Sequence, residues 1–313
     1  MTTYLVTGGA GFIGSNIVHE LVRRGHRVRV LDNFATGRRS NLTGIEDRVD
    51  LLEGDLRHLR DVEKAVDGVD VVLHQGALGS VPRSIADPLA SHEANATGTL
   101  RVLGAARGAG VRRVVYASSS SVYGDTPTLP KVEDMLPGPL SPYAVSKLAG
   151  EHYARVFAQV YGLETISLRY FNVFGPRQDP TSQYAAVIPK FIRAMLQGER
   201  PVIFGDGAQS RDFTYVDNVV AANLLAAEAP AAALRGGVCN VACGENSALL
   251  DLVATLNGVL GSRLEPVFQP PRPGDVRHSH AAVGRAEALL GYRPAVRFAE
   301  GIRRTVEWMR AHE

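Results

Sequence analysis

The chain has 313 residues, 45% hydrophobic and 21% charged, with a formal charge of +2. That length exceeds what one ordinary core serves and favours two lobes. The small charge argues against nucleic acid or an anionic membrane as partner, and no apolar run approaches the ~20 residues of a membrane span.

The N-terminus carries no basic segment followed by an apolar one and a cleavage site, so a cytoplasmic enzyme is expected. Tyr4-Leu5-Val6 reads as a short strand, followed by Thr7-Gly8-Gly9-Ala10-Gly11-Phe12-Ile13-Gly14. An amphipathic helix then carries Ile17, Val18, Leu21 and Val22, closed by Gly25. Strand, glycine loop and helix are the context in which such a motif binds a dinucleotide. Gly8 allows the tight turn, Gly11 lets backbone approach a pyrophosphate, and Gly14 lets helix and strand pack closely. The helix N-terminus faces the phosphates with its partial positive charge.

A second strand, Arg27–Leu31, ends at Asp32-Asn33. A carboxylate there suits ribose hydroxyls and repels a 2′-phosphate, which favours NAD over NADP. Arg38 and Arg39 read as a solvated loop. Val49–Glu53 is a third strand leading to Asp55 and Leu56; Asp55 suits the adenine amino group or a helix N-cap. Val69–Leu73 is a fourth, wholly apolar strand, as in a parallel sheet buried on both faces. It runs into His74-Gln75-Gly76-Ala77, where small residues let a cofactor lie close, while His74 reads as a core histidine. Ser80–Ser84 reads as a loop, and Asp87 to Ala106 as one helix carrying Asn95. Arg112–Ala117 is a fifth strand, ending in four serines, Ser118 to Ser121.

Ser141-Pro142-Tyr143-Ala144-Val145-Ser146-Lys147 follows. Ser141 suits an N-cap and Pro142 the first helical turn. Tyr143 and Lys147 then share one face. The ammonium favours phenolate, so the tyrosine is expected to titrate below its usual ~10 and to take a proton from an alcohol. The β-α alternation continues through Leu168, which defines a doubly wound α/β sheet.

Past Pro176 the alternation fades. Ala185–Leu196 reads as a helix, and Arg211–Val216 as a strand leading to a helix near Asp217. Val238–Ala242 is another strand, with helices at Leu249–Leu260, Ala286–Leu290 and Gly301–Arg310. Cys239 and Cys243, the only cysteines, are expected in a buried strand; no metal site is expected. These elements suggest a smaller lobe closing over the sheet edge.

The glycine motif, Asp32, Asp55, Ser119 and the Tyr143/Lys147 pair resemble those of the extended short-chain dehydrogenase/reductases. Asp32–Gly37, Arg169–Gly175, Ser210–Phe213 and Arg272–Asp275 are most similar to UDP-hexose 4-epimerases. The resemblance implies a Rossmann-like domain over 1–170, joined by part of 213–243, and a UDP-sugar lobe over 171–313. It implies a catalytic set of Ser119, Tyr143 and Lys147. On the NAD side it implies Gly8, Gly11, Phe12, Ile13, Gly14, Asp32, Asn33, Asp55, Leu56, Gln75, Ala77, Asn95, Tyr143, Lys147 and Tyr170. On the substrate side it implies Ser84, Ser119, Asn172, Val187, Arg211, Arg272, Asp275 and Ser279, with the two arginines on the diphosphate and Asp275 on the uridine ribose.

The implied reaction is epimerisation at C4 of a UDP-hexose through a transient 4-keto sugar. A homodimer is implied through the helices near Asp87–Ala106 and Ser141–Tyr161. Related dehydratases and decarboxylases carry acidic residues where this chain has Ser120 and Ser121, which argues against those reactions. Ser279 stands where a bulky tyrosine would bar a 2-acetamido group, so UDP-GlcNAc and UDP-GalNAc are expected as substrates beside UDP-Glc and UDP-Gal. The rivals are a UDP-glucuronate 4-epimerase, a 4,6-dehydratase or decarboxylase, and an NAD-binding regulatory protein without turnover.

Overall fold

A computed structural model of the chain describes residues 1–180, 186–271 and 277–312. The first half alternates strands and helices: β1 (Thr3–Thr7), α1 (Phe12–Arg23), β2 (Arg27–Asp32), β3 (Val49–Glu53), α2 (Leu59–Val66), β4 (Val71–His74), α3 (Val81–Ala86), α4 (Pro88–His92), α5 (Gly98–Gly108), β5 (Arg113–Ser119), α6 (Pro142–Tyr161) and β6 (Glu164–Tyr170). The second half has shorter strands: β7 (Val173–Phe174), α7 (Val187–Leu196), β8 (Val202–Phe204), β9 (Ser210–Arg211), β10 (Thr214–Tyr215), α8 (Val216–Glu228), α9 (Ala231–Leu234), β11 (Gly237–Val241), β12 (Ser247–Ala248), α10 (Leu249–Leu260), β13 (Val267–Gln269), α11 (Gly284–Leu290) and α12 (Phe298–His312).

Seven strands form one sheet in the order β11-β6-β5-β4-β1-β2-β3. Every pairing in it is parallel. Helices cover both faces, which is why β4 and β5 are buried almost throughout. On one side Val6, Ile17, Leu21, Leu168 and Val219 pack together. On the other, Leu5, Val62, Val72, Val102, Val114 and Phe157 do so. A third cluster, with Phe174, Ile192, Phe213, Leu252 and Ile302, fills the second lobe. Strand order reverses between β1 and β4, and open sheets of this kind bind ligands at the carboxyl ends beside that reversal.

Three local expectations are corrected. Ser80–Ser84 is not a loop: Ser80 caps α3, its hydroxyl accepting from Arg83 N at 3.1 Å, and Pro82 falls in the first turn, where no N–H is missed. The helix expected from Asp87 to Ala106 is interrupted by a π-turn at Glu93–Thr97 between α4 and α5. The strand expected at Arg211–Val216 splits into β9 and β10, because Asp212 between them turns fully inward. Cys239 and Cys243 are both buried and free, but only Cys239 lies in a strand, β11, and Cys243 follows two residues past its end.

Candidate active site

The glycine loop is shaped by close approach. Gly8 has φ +65°, and a Cβ on it would lie 2.7 Å from the Gly76 Cα. A Cβ on Gly14 would lie 2.1 Å from the Gly8 carbonyl oxygen, so helix and loop fit together only without side chains. Gly11 opens α1 with no side-chain cap, and uncapped N–H groups at a helix start suit a phosphate. Asp32 is buried at the tip of β2. One carboxylate oxygen accepts from Ala10 N at 2.9 Å and the other from Phe34 N at 2.8 Å. Burial raises its pKa and those two bonds oppose the rise.

A cleft of about 680 Å³ runs from this loop across the ends of β1, β4, β5 and β6. Its walls include Gly8, Gly11, Phe12, Ile13, Gly14, Asp32, Asn33, Asp55, Leu56, Gln75, Ala77, Tyr143, Lys147 and Tyr170. Sequence reasoning missed Arg57, which holds Asp55 through a fork at 2.7 and 3.0 Å and, with other bonds, pulls its carboxyl well below the usual range. It also missed Asn223, which donates to the Tyr170 hydroxyl at 2.8 Å and accepts from Gln75 at 3.0 Å. A lone polar residue in the apolar run of α8 was the available signal. Arg38, read as solvated, pairs with Asp179 at 2.6 Å, and both line the cleft.

Ser141 caps α6, accepting from Ala144 N at 3.2 Å. The helix presents Tyr143 and Lys147 to the cleft, and the Ser119 hydroxyl, at the end of β5, is near enough to the phenol to favour its ionised form. Lys147 Nζ donates to the Ala117 carbonyl at 2.8 Å and lies 6.0 Å from the Tyr143 ring centre. The expected depression of the tyrosine pKa is corrected. Burial raises it above 10, with only the nearby Ser119 hydroxyl opposing. The ammonium is engaged by a carbonyl and is itself pushed down to about 8 by burial. His74 is a core histidine: Thr7 and Thr99 hydroxyls flank its ring at 2.6 and 2.9 Å, and burial pushes it down to about 3.

A second cavity of about 300 Å³ is lined by Asn172, Val187, Arg211, Phe213 and neighbours. Ala186 belongs to the walls of both cavities, so they adjoin. Asn172 adopts φ +35°, and its Nδ2 lies 3.5 Å from the Ser279 hydroxyl. Four expected residues stand back from these walls: Ser119, beside the Tyr143 phenol, Ser279, beside Asn172, and Ser84 and Asn95. Ser84 is fully buried and donates to the Val81 carbonyl at 2.7 Å. Asn95, in the π-turn, is buried; it accepts from Leu78 N at 2.7 Å and donates to Ser146 at 3.1 Å. It therefore anchors the cleft wall rather than forming it. Arg272 and Asp275 lie outside the described residues.

Fold and site together define an extended dinucleotide-binding α/β protein with a serine, a tyrosine and a lysine set at the sheet's reversal. The chain belongs to the NAD-dependent epimerase/dehydratase family, whose model matches residues 4–242. It is 42% identical over 314 residues to the UDP-glucose 4-epimerase of Mycolicibacterium smegmatis, covering 98% of each chain. Among solved structures, a UDP-N-acetylglucosamine 4-epimerase from Methanobrevibacter ruminantium, in complex with UDP-N-acetylmuramic acid, matches at TM-score 0.95 and 41% identity, covering 100% of this chain and 99% of that one. The UDP-glucose 4-epimerase of Thermus thermophilus, in complex with NAD, matches at TM-score 0.89 and 39% identity over 100% of both chains.

Proposed function

We propose that this chain is an NAD-dependent isomerase that interconverts C4 epimers of UDP-hexoses, N-acetylated ones included. The observation that carries the reading is the meeting of Ser119, Tyr143 and Lys147 at a cleft whose glycine cradle excludes any Cβ. Bound there, NAD supplies an acceptor and donor of hydride for the sugar C4, by way of a 4-keto sugar, and a positive charge within the cleft. Tyr143 Oη takes the proton of the 4-hydroxyl and later returns it. Ser119 Oγ orients that exchange by bonding the phenol. Lys147 Nζ, braced by the Ala117 carbonyl, supports the phenolate. Residues 1–170 with part of 213–243 hold the dinucleotide.

Residues 171–313 hold the UDP-sugar, with Asn172, Val187 and Arg211 in the adjoining cavity and Arg272 and Asp275 completing it. Ser279 leaves room for a 2-acetamido group. Among the described residues no helix is long and apolar enough to cross a membrane, and we assign the enzyme to the cytoplasm. The apolar face along α6 supports a homodimer.

Turnover with UDP-Glc, UDP-Gal, UDP-GlcNAc, UDP-GalNAc and UDP-GlcA tests the assignment. Both epimer pairs should interconvert. Consumption of UDP-GlcA alone would move the protein to the uronate epimerases or decarboxylases. Tyr143→Phe should lower kcat by about 10³-fold or more while leaving NADH affinity, read by fluorescence, unchanged; surviving activity would remove Tyr143 from its role.

A further inference from the structure

Behind the cleft wall lies an ion pair that the proposed reaction does not use. Glu151 and Arg169 are 2% and 3% exposed and 2.7 Å apart. Glu151 stands on α6 one turn beyond Lys147 and two beyond Tyr143, so all three share a face. Its Oε1 accepts from Arg169 Nε at 2.8 Å and from the Ser118 hydroxyl at 2.5 Å. Its Oε2 accepts from Arg169 Nη2.

Ser118 lies between Ala117, whose carbonyl receives Lys147, and Ser119, whose hydroxyl stands beside the Tyr143 phenol. In the β5–β6 ladder Ser118 is opposite Arg169, and Ser119 is opposite Tyr170. The guanidinium also covers the Tyr123 ring at 4.6 Å. One carboxylate therefore joins α6, β5 and β6 at the level where the reacting side chains emerge. A dry ion pair is weak support for stability, because well-packed apolar residues of like volume commonly serve a core as well. This one even leaves Arg169 Nη1 buried without a partner.

We propose that the Glu151–Arg169 pair is a positioning device: it fixes the height and rotation of α6 on the end of β5, holding Tyr143 against Ser119 and Lys147 against Ala117. The inference rests on the reading of Tyr143 as the proton-transfer group. Glu151 also balances the Arg169 charge in a dry setting. Tyr143 and Lys147 are faced by His74 from β4, Tyr116 from β5 and Tyr170 from β6, all uncharged near neutrality because burial pushes the histidine down and the tyrosines up. From α3, Arg83 shares the cleft wall. Of these groups only Arg83 and the pair carry charge.

The test uses the NAD-loaded enzyme with UDP-galactose. Glu151→Leu/Arg169→Met replaces the pair by apolar bulk. A native circular-dichroism spectrum, unchanged NADH affinity, KM within threefold and kcat lower by about 10²-fold would support positioning, since displacement of reacting groups by about 1 Å commonly has that effect. A folded double variant with kcat within threefold of the parent overturns it. Should the double variant not fold, Ser118→Ala severs only the contact to β5; a tenfold loss in kcat supports the proposal and an unchanged kcat overturns it. Glu151→Gln leaves the Arg169 charge unbalanced, so the acid limb of the kcat/KM profile should move to lower pH by half a unit or more, which a purely structural role would not cause. An unmoved limb overturns the charge-balancing role. A parent enzyme inactive on every UDP-sugar would sink the proposed function itself, and this inference with it.

Discussion

At the residue scale the decisive group is Lys147. The residue is 4% exposed and burial holds its pKa at about 8 instead of 10.5. Above about pH 10.5 neither the folded nor the unfolded chain protonates it. As pH falls from there toward 8 the unfolded chain takes up a proton that the folded one resists, so stability drops. Below 8 the penalty is constant, about 3 kcal/mol at most. Lys147→Met removes that penalty and loses one bond to Ala117 worth ~1 kcal/mol. The apoprotein should therefore gain roughly 2 kcal/mol in urea unfolding at pH 7. The gain should shrink between pH 8 and 10, while kcat collapses. A variant no more stable at pH 7 would show that the ammonium is not penalised. The Tyr143/Lys147 pairing was legible in the i, i+4 spacing, but the direction of the tyrosine shift was not. Dryness is a property of β4, β5 and β6 closing over the helix, and spacing carries no record of it. Ser279 makes a second prediction at this scale. With its hydroxyl 3.5 Å from Asn172, Ser279→Tyr should cut kcat/KM for UDP-GlcNAc by about 30-fold or more while sparing UDP-Glc within a few fold. Equal losses on both substrates would refute that role.

At the scale of elements, Asp212 shows what a sequence pattern conceals. The run from Arg211 to Val216 alternates like a strand, yet Asp212 is fully buried. Its carboxylate accepts from the backbone N–H groups of Cys243, Gly244 and Ala281 at 2.9, 3.1 and 3.2 Å. It thereby pins the β9–β10 turn to the chain leaving β11 and to the segment following Ser279. Burial pushes its carboxyl up to about 6 against those bonds. Asp212→Ala would orphan two buried donors and one partly buried one at ~1–3 kcal/mol each, partly rehydrated, for a net loss of about 2–5 kcal/mol. Asp212→Asn, with one acceptor oxygen, should recover part of it. Urea unfolding measures both, and an unchanged midpoint for the alanine variant would contradict the role. The regular α/β elements of the first half were legible because apolar period and glycine punctuation agree there. The π-turn at Glu93–Thr97 was not, since it arises where Asn95 reaches back to Leu78, a contact without a local signature.

At the scale of the whole molecule, β11 completes the sheet from far along the sequence, and the same long-range logic governs the outer face of α6. One side of that helix holds Lys147 and Glu151 inside. The opposite side exposes Val145, Tyr153, Val156 and Val160, the last at 65%. α3 and α4 pack beside α6 and extend the apolar strip with Ile85 and Leu89, the latter 78% exposed. Contiguous apolar surface of this kind marks an interaction site, and a strip along one straight helix suits a two-fold pairing of identical faces. Because α6 also carries Tyr143, such pairing would stiffen the element on which proton transfer depends. The native chain should sediment at twice its 33.6 kDa mass at micromolar concentration. Val156→Glu/Val160→Glu, which places charge at the strip's exposed end without touching the core, should yield a folded monomer with reduced kcat. Sedimentation velocity at several concentrations, paired with circular dichroism, decides it. A native chain that runs as a monomer throughout, or a double variant that remains dimeric, would show that α6 does not hold two copies together.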